Sequence, residues 1–159
     1  MIEMKVSGMM LDPLTNSPIV ILKNDDGDRI LPIWVGPFEA QAIAMKHENV
    51  SSPRPMTHDL MLSLLQTTAA RVEKVVITDL RENTFYATIH VWVDEQHHAV
   101  DSRPSDGIAL ALRVEAPIYV EPLVLEKSQV SIDDESPAEP EKDLRKWFED
   151  VDPATKYQM

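Results

Sequence analysis

The sequence predicts an α+β domain, in which three helices pack on a mixed, mostly antiparallel sheet. Several short segments alternate apolar and polar residues, which is the period of a half-buried strand. Turn-forming residues join neighbouring segments of this kind, which indicates hairpins. Three longer segments begin at a proline or a threonine and contain apolar residues at helical spacing. Together these observations predict strands and helices in alternation within one core.

The first half of the chain is predicted to contain three strands and one helix, at residues 2–11, 18–23, 29–35 and 38–48. Residues 24–28 are rich in Asn, Asp and Gly, so the second and third strands form a hairpin. Pro32 has no backbone N–H to donate, which favours an edge position for the third strand. Pro37 takes the first helical position, where the N–H has no partner in any case.

The second half is predicted to contain a helix at 57–71, strands at 72–80, 84–93 and 98–102, a helix from Pro104 or Ser105 to Glu115, and a strand at 118–125. Thr57 is a suitable N-cap for the first of these helices. The odd-numbered residues of the strand at 84–93 are apolar and share one face. Pro122 is expected to interrupt the last strand.

An internal repeat is visible at an offset of 67 residues. Residues 37–45 align with residues 104–112, and both segments have a proline, an acid two positions later and small residues after it. Each segment follows a predicted hairpin. The proline starts a helix, the acid faces the positive end of the helix dipole, and the small residues allow close packing on a sheet. We therefore predict a duplicated hairpin–helix unit.

The net charge of −12 is unevenly distributed, which divides the chain into a domain at 1–127 and an appendage at 128–159. Residues 128–141 contain five acids and no base, so they are interpreted as a linker. Leu144, Trp147 and Phe148 then share one face of a short C-terminal helix, which either docks on a protein surface or is a frayed tail. The acidic balance opposes binding to nucleic acids and anionic membranes at long range.

Several protein classes are excluded by composition. The chain has no cysteine, which rules out disulfides, thiolate zinc sites and cysteine nucleophiles. Its four glycines lack the spacing of a dinucleotide-binding or phosphate-binding loop, so no organic cofactor is predicted. Neither a secretory signal nor an apolar run long enough to span a bilayer is visible. We expect a cytoplasmic protein with no membrane partner.

His58 and Asp59 form the first candidate site. In the first turn of a helix the dipole favours a carboxylate and disfavours an imidazolium. A neutral imidazole at His58 suits a general base or a metal ligand. The alternative is that both residues only start the helix.

The second candidate site is the run of polar residues at 101–106, at a strand-to-helix junction. Asp101 and Asp106 could hold a divalent metal ion, and Arg103 could clamp a phosphate with two hydrogen bonds. The alternative is a purely structural cluster in which Ser105 or Ser102 caps the helix and Asp101 pairs with Arg103. Glu39 is the counterpart of Asp106 in the internal repeat, and its alternative role is to complement the helix dipole.

The other histidines are assigned to no site, and His47 and His90 are interpreted as uninvolved residues. His97 and His98 are adjacent in a strand and therefore point to opposite faces, which makes them poor joint ligands. His47 and His90 are isolated in the sequence.

Four separated motifs, in order, resemble the bifunctional nuclease domain family over about residues 2–127; they lie at 31–36, 39–43, 54–60 and 101–111. The resemblance implies a compact α+β domain with an internal duplication and the degradation of both DNA and RNA, an activity described mainly for plant members. Gly107 stands where the family often has alanine. The resemblance gives the location of the polar motifs, but it assigns no catalytic residue.

Two functions follow as hypotheses. The first is a nuclease in which His58, Asp59, Arg103, Ser105 and Asp106 are catalytic, while Glu39, Asp101 and Asp106 hold Mg²⁺ or Mn²⁺. The second is a non-enzymatic regulatory or assembly module, in which the same polar groups only stabilise helix starts.

Assembly and site geometry can also be predicted. Prolines at strand edges and the apolar tail helix favour a homo-oligomer, most simply a two-fold dimer. Because duplicated units often pack about a pseudo-two-fold axis, we expect the helix starts at 58–59 and 101–106 to lie side by side and share hydrogen bonds. Arg103 is the expected bridging group, because its planar fork binds two acceptors.

Overall fold

The computed structural model describes residues 1–128. The predicted linker and the tail helix that contains Leu144, Trp147 and Phe148 lie outside these residues. The elements in chain order are β1 (Ile2–Leu11), β2 (Pro18–Lys23), β3 (Ile30–Trp34), α1 (Pro37–His47), α2 (Thr57–Thr67), β4 (Arg71–Arg81), β5 (Thr84–Val93), β6 (Gln96–Ser102), α3 (Pro104–Val114), β7 (Ile118–Val120) and α4 (Pro122–Lys127).

The strands form one seven-stranded sheet in the order β3-β2-β1-β7-β4-β5-β6. Every neighbouring pair is antiparallel except β4 and β7, which run parallel. The predicted mixed, mostly antiparallel sheet is therefore confirmed. Pro32 lies in the edge strand β3, opposite Ile21, as its missing donor predicts.

The two halves of the sheet contain equivalent strands on either side of the short central strand β7. β1, β2 and β3 extend to one side and are followed in the chain by α1, whereas β4, β5 and β6 extend to the other and are followed by α3. Both helices are 11 residues long, and their first residues, Pro37 and Pro104, are 67 residues apart. The structure places the two predicted hairpin–helix units at equivalent positions and adds one strand to each.

Small residues set the distance between these helices and the sheet. Buried alanines occupy α1 and α3: Ala40, Ala42, Ala44, Ala109 and Ala111. Gly107 lies very close to the sheet, because a Cβ atom there would lie 2.8 Å from Cγ1 of the fully buried Val75. Core packing thus brings the start of α3 directly over β4.

Two predicted boundaries are wrong. The last strand ends at Val120, and Pro122 begins α4 instead of interrupting a strand, because proline suits the first turn of a helix. The helix that starts at Thr57 ends at Thr67 and not at Arg71, since the backbone becomes left-handed at Ala69 (φ +54°). Within residues 1–128, no helix is long and apolar enough to cross a membrane.

Candidate functional site

The starts of α1 and α3 are joined by one guanidinium group. Glu39 and Asp106 are the third residues of their helices, and Arg103 immediately precedes α3. Arg103 donates from Nε to Oδ2 of Asp106 and from Nη2 to Oε1 of Glu39, both at 2.8 Å. Hydrogen bonds to Asp106 and then to Glu39 raise the pKa of Arg103 above its usual value. The guanidinium therefore stays charged between two carboxylates from equivalent positions of the repeat.

His58 extends this cluster from the first turn of α2. Its Nε2 atom lies 3.0 Å from Oδ1 of Asp106, and its side chain is only 6% exposed. Burial raises the pKa of Asp106, but hydrogen bonds from Arg103 and His58 outweigh this effect and hold the pKa below its usual value. An ionised carboxylate only accepts hydrogen bonds, so Nε2 of His58 carries the hydrogen in this pair. The site cluster consists of Glu39, His58, Arg103 and Asp106.

Asp59 turns away from this cluster. Its Oδ2 atom accepts a hydrogen bond from the backbone N–H of Met56 (2.9 Å), and its Oδ1 atom accepts one from Nε of Arg113 (2.6 Å). Burial raises the pKa of Asp59, but the bonds from Met56 and Arg113 more than offset this and lower the pKa. Thr57 is consequently the first residue of α2 and not its N-cap, because Met56 takes that position.

Arg113 is a residue that the sequence did not indicate. It lies near the C-terminus of α3 with a side chain only 5% exposed. Besides Asp59, it binds two backbone carbonyls: Nη1 donates to Ala109 (2.8 Å) and Nη2 to Ala42 (3.1 Å). Ala42 and Ala109 are again 67 residues apart. Arg113 thus ties α1, α2 and α3 together, and the only local signal is a basic residue in a last helical turn.

The predicted contact between the helix starts is confirmed in part. The segments at 58–59 and 101–106 share the His58–Asp106 hydrogen bond. Arg103 does bridge two acceptors, but the second is Glu39 and neither His58 nor Asp59.

The remaining predicted site residues lie apart from the cluster or inside the helix. Ser105 is buried in the first turn of α3. Asp101 is exposed on β6 opposite Thr88, and its side chain forms no hydrogen bond with any residue of 1–128. Nor do His, Asp and Glu side chains form a metal-binding group of three or more anywhere in this range. The guanidinium of Arg103 pairs with the carboxylates of both Glu39 and Asp106, so in this arrangement these two acids are not free to bind the predicted Mg²⁺ or Mn²⁺.

One interpretation of the histidines is wrong. His90 on β5 is not isolated, because its Nδ1 atom lies 3.1 Å from Nε2 of His97 on β6. The pairing of the two strands brings them together, since Trp92 lies opposite His97 and His90 is two residues away on the same face.

Two open cavities lie outside the site cluster. One, of about 480 Å³, is lined by Ala69, Arg71, Trp92, Asp94 and Glu95. The other, of about 250 Å³, runs between the end of α2 and the end of α3, where Arg113 forms part of its wall. None of the four cluster residues lines either cavity.

Comparison with known proteins identifies the family of this chain. The family model described as the bifunctional nuclease domain matches residues 20–133. Uncharacterized proteins from two strains of Mycobacterium tuberculosis are 43% identical over 137 residues, which cover 86% of this chain and 82% of the relative. Bifunctional nuclease 1 of Oryza sativa subsp. indica is 25% identical over 124 residues, or 76% of this chain and 38% of the relative. The chain therefore belongs to the bifunctional nuclease domain family.

Proposed function

We propose that this protein is a nuclease that hydrolyses phosphodiester bonds of DNA and RNA at the site cluster. Family membership and the name of the rice relatives support the reaction class. The observation that carries the proposal is the position of Arg103. Its side chain is 64% exposed and stands where the N-terminal ends of α1 and α3 meet. A guanidinium fork matches two oxygens of a phosphate, and helix starts attract anions.

In this proposal Arg103 binds the scissile phosphate and stabilises the negative charge that develops on it. Its Nη2 atom is held by Glu39, so a phosphate oxygen would replace that carboxylate as the acceptor. Asp106 would keep its hydrogen bond to Nε and preserve the orientation of the fork. A positioned donor of this kind contributes about 100-fold or more to a reaction rate.

His58 is the proposed proton acceptor. Because Asp106 accepts the hydrogen on Nε2, the lone pair of the imidazole lies on Nδ1. Nδ1 would take a proton from the attacking water, whose oxygen forms the new bond to phosphorus while the bond to the leaving oxygen breaks. Asp106 is then a positioning residue, which fixes the tautomer and orientation of the imidazole, as carboxylates do in hydrolase triads.

A need for Mg²⁺ or Mn²⁺ stays a prediction that the assay must decide. We assign no step to a metal ion, because the carboxylates of the cluster are paired with Arg103 and His58. We place the activity in the cytoplasm. The net charge of −12 implies weak long-range attraction for nucleic acids, so binding depends on local contacts such as Arg103.

The alternative is a non-enzymatic module that forms a homo-oligomer. Its support is that the carboxylates and bases of the cluster pair with one another, as structural groups do. Leu60 and Leu64 also form an exposed apolar pair on α2, and Phe38 is 75% exposed at the start of α1. Contiguous exposed apolar groups occur at protein interfaces. Sedimentation analysis at micromolar concentrations tests this alternative: a mass near 18.0 kDa would contradict it.

The nuclease proposal is tested with untagged protein purified through successive columns. Single-stranded DNA, double-stranded DNA and RNA are incubated with each fraction in EDTA, Mg²⁺ or Mn²⁺. We expect cleavage to follow the protein across the peak and to fall in a His58→Gln variant purified in the same way. Activity that separates from the protein, or that is equal in the variant, would contradict the proposal.

A further inference from the structure

The second cluster of titratable groups lies at the far edge of the sheet, in the β5–β6 hairpin. Ala87, Ile89 and Val91 of β5 are buried, and Ile89 packs near Gly107 of α3. His90 alternates with these residues, so it lies on the face of the sheet away from α3. His97 of β6 lies on the same face, and the two imidazole rings stack with centroids 5.1 Å apart and planes inclined by 30°.

We propose that His90 and His97 form a binding site for a divalent transition-metal ion of the Zn²⁺ or Cu²⁺ type. Their facing nitrogens, Nδ1 and Nε2, are 3.1 Å apart. Imidazole nitrogens bind Zn²⁺ at about 2.0–2.1 Å, so two ligands of one ion lie roughly 3.0 Å apart at a right angle and about 3.4 Å apart in a tetrahedron. The observed separation falls inside that interval, so the strand spacing suits the ion once the two rings turn to point both lone pairs at it.

The protonation of the pair is compatible with metal binding. In the metal-free pair one facing nitrogen must carry a hydrogen, because the other accepts it. A metal ion needs both facing lone pairs, which each neutral ring supplies when its hydrogen moves to the outer nitrogen. Binding to the neutral pair thus exchanges one hydrogen bond for two metal–nitrogen bonds.

Glu73 provides a negative charge beside the pair. Its Oε2 atom lies 3.6 Å from Nε2 of His97 and accepts a hydrogen bond from Nε1 of Trp92 at 3.0 Å. The edge of the Trp92 ring also contacts His97 and restrains its rotation. The positive charge of Lys74 repels a cation at this site, and the negative charge of Glu73 offsets that repulsion.

The pair supplies two protein ligands, and water must complete the coordination. Because no group of three or more acidic or histidine ligands is arranged around a metal position in residues 1–128, we expect affinity in the micromolar range and not the much tighter binding of a structural zinc site. Nitrogen ligands favour Cu²⁺ over Ni²⁺ and Zn²⁺. The expected order of affinity is therefore Cu²⁺ first, with the other two ions weaker.

The test is a calorimetric titration of the untagged full chain with Zn²⁺ and, separately, with Cu²⁺. We expect one saturable site with a dissociation constant on the order of micromolar. His90→Gln and His97→Gln should each weaken it at least about tenfold, because a single imidazole remains. His98→Gln is the matched control: His98 is the next residue on β6, but it pairs with Val91 and points to the opposite face.

Two results would overturn the site. One is the absence of saturable binding below about 1 mM metal. The other is an equal effect of the His98→Gln and His97→Gln substitutions, which would mean that the ion binds elsewhere, including the acidic residues beyond 128. The site is independent of the proposed nuclease activity, because neither His90 nor His97 belongs to the site cluster.

Discussion

Glu39 and Asp106, which lie 67 residues apart and start equivalent helices, bind the same guanidinium group. At the other end of α3, Arg113 repeats this arrangement with backbone groups, because it donates to the equivalent carbonyls of Ala42 and Ala109. Two arginines at opposite ends of α3 therefore connect the repeats. Arg103 is exposed and Arg113 is buried, so we expect the first to matter for binding and the second for stability.

Replacing Arg113 with alanine should destabilise the fold strongly. The change leaves Asp59 without its charged partner and removes the side-chain hydrogen bonds to the carbonyls of Ala42 and Ala109. We expect the free energy of unfolding to fall by about 2–4 kcal/mol, less than for a fully buried pair because water reaches Asp59. Urea denaturation of the original protein and of the variant measures this loss of stability. Arg113→Lys should recover only part of the loss, since an ammonium cannot reproduce the planar fork.

Arg81→Ala is the control for Arg113→Ala. Arg81 is 65% exposed and pairs with Asp79, so its loss should cost no more than about 1 kcal/mol. Equal effects of the two substitutions would contradict a role for Arg113 in holding the three helices together.

Replacing Asp106 with asparagine should allow His58 to adopt either neutral tautomer, because the new side chain has nearly the same shape but no negative charge. We expect kcat to fall about 100-fold or more, with a smaller change in KM, because the imidazole loses the group that fixes its hydrogen on Nε2. Nitrogen NMR of His58 should show the Nε2–H form in the original protein and a mixture in the variant. An unchanged tautomer would remove Asp106 from this role.

The helix starts could be predicted because their signals are local. Pro37 and Pro104 stand at first helical positions, with an acid two residues later, and the repeat predicted that these starts are equivalent. The duplication also led us to expect hydrogen bonds between the segments at 58–59 and 101–106, and His58 forms one with Asp106, whereas Asp59 binds Met56 and Arg113. The same local reasoning failed at Pro122, where apolar residues on both sides imitate a strand and proline begins α4.

Other contacts could not be predicted because they depend on distant parts of the chain. Arg113 binds groups 54 and 71 residues away, and nothing near it in the sequence indicates either partner. The His90–His97 pair depends on the register of β5 against β6, which a shift of one residue would separate. Sequence patterns locate elements, whereas such pairs depend on how the elements pack.

Acid should destabilise the protein through Asp59 and Asp106. Both have folded-state pKa values below the ordinary 3.8, so both bind protons more readily in the unfolded chain. Their contribution is complete above the unfolded pKa and is lost as pH falls through the folded pKa. We expect the free energy of unfolding to decrease below about pH 4. Urea denaturation from pH 6 to pH 3 measures this decrease in the free energy of unfolding. The Asp59→Asn substitution should make the decrease smaller. A free energy of unfolding that rises towards acid pH would contradict the roles assigned to Asp59 and Asp106.

Replacing Gly107 with alanine should destabilise α3 despite the higher helix propensity of alanine. The new Cβ would lie 2.8 Å from Cγ1 of Val75, a stiff and fully buried side chain. Overpacking of this kind costs about 1–3 kcal/mol and exceeds a propensity gain of about 0.5–1 kcal/mol. The same substitution should cost less in a Val75→Ala background. A gain in stability in the Gly107→Ala protein would show that the core accommodates the methyl group.

The most direct test of the proposed function compares Arg103→Ala with Arg81→Ala in the nuclease assay. The two arginines are almost equally exposed, but Arg103 binds two carboxylates where Arg81 binds one, so Arg103→Ala should cost more stability and each rate is scaled by the folded fraction. We predict that kcat/KM on single-stranded DNA and RNA falls about 100-fold or more in Arg103→Ala and is unchanged in Arg81→Ala. Activity in Arg103→Ala that equals the original, or that falls only as far as the folded fraction falls, would contradict a catalytic role for the cluster.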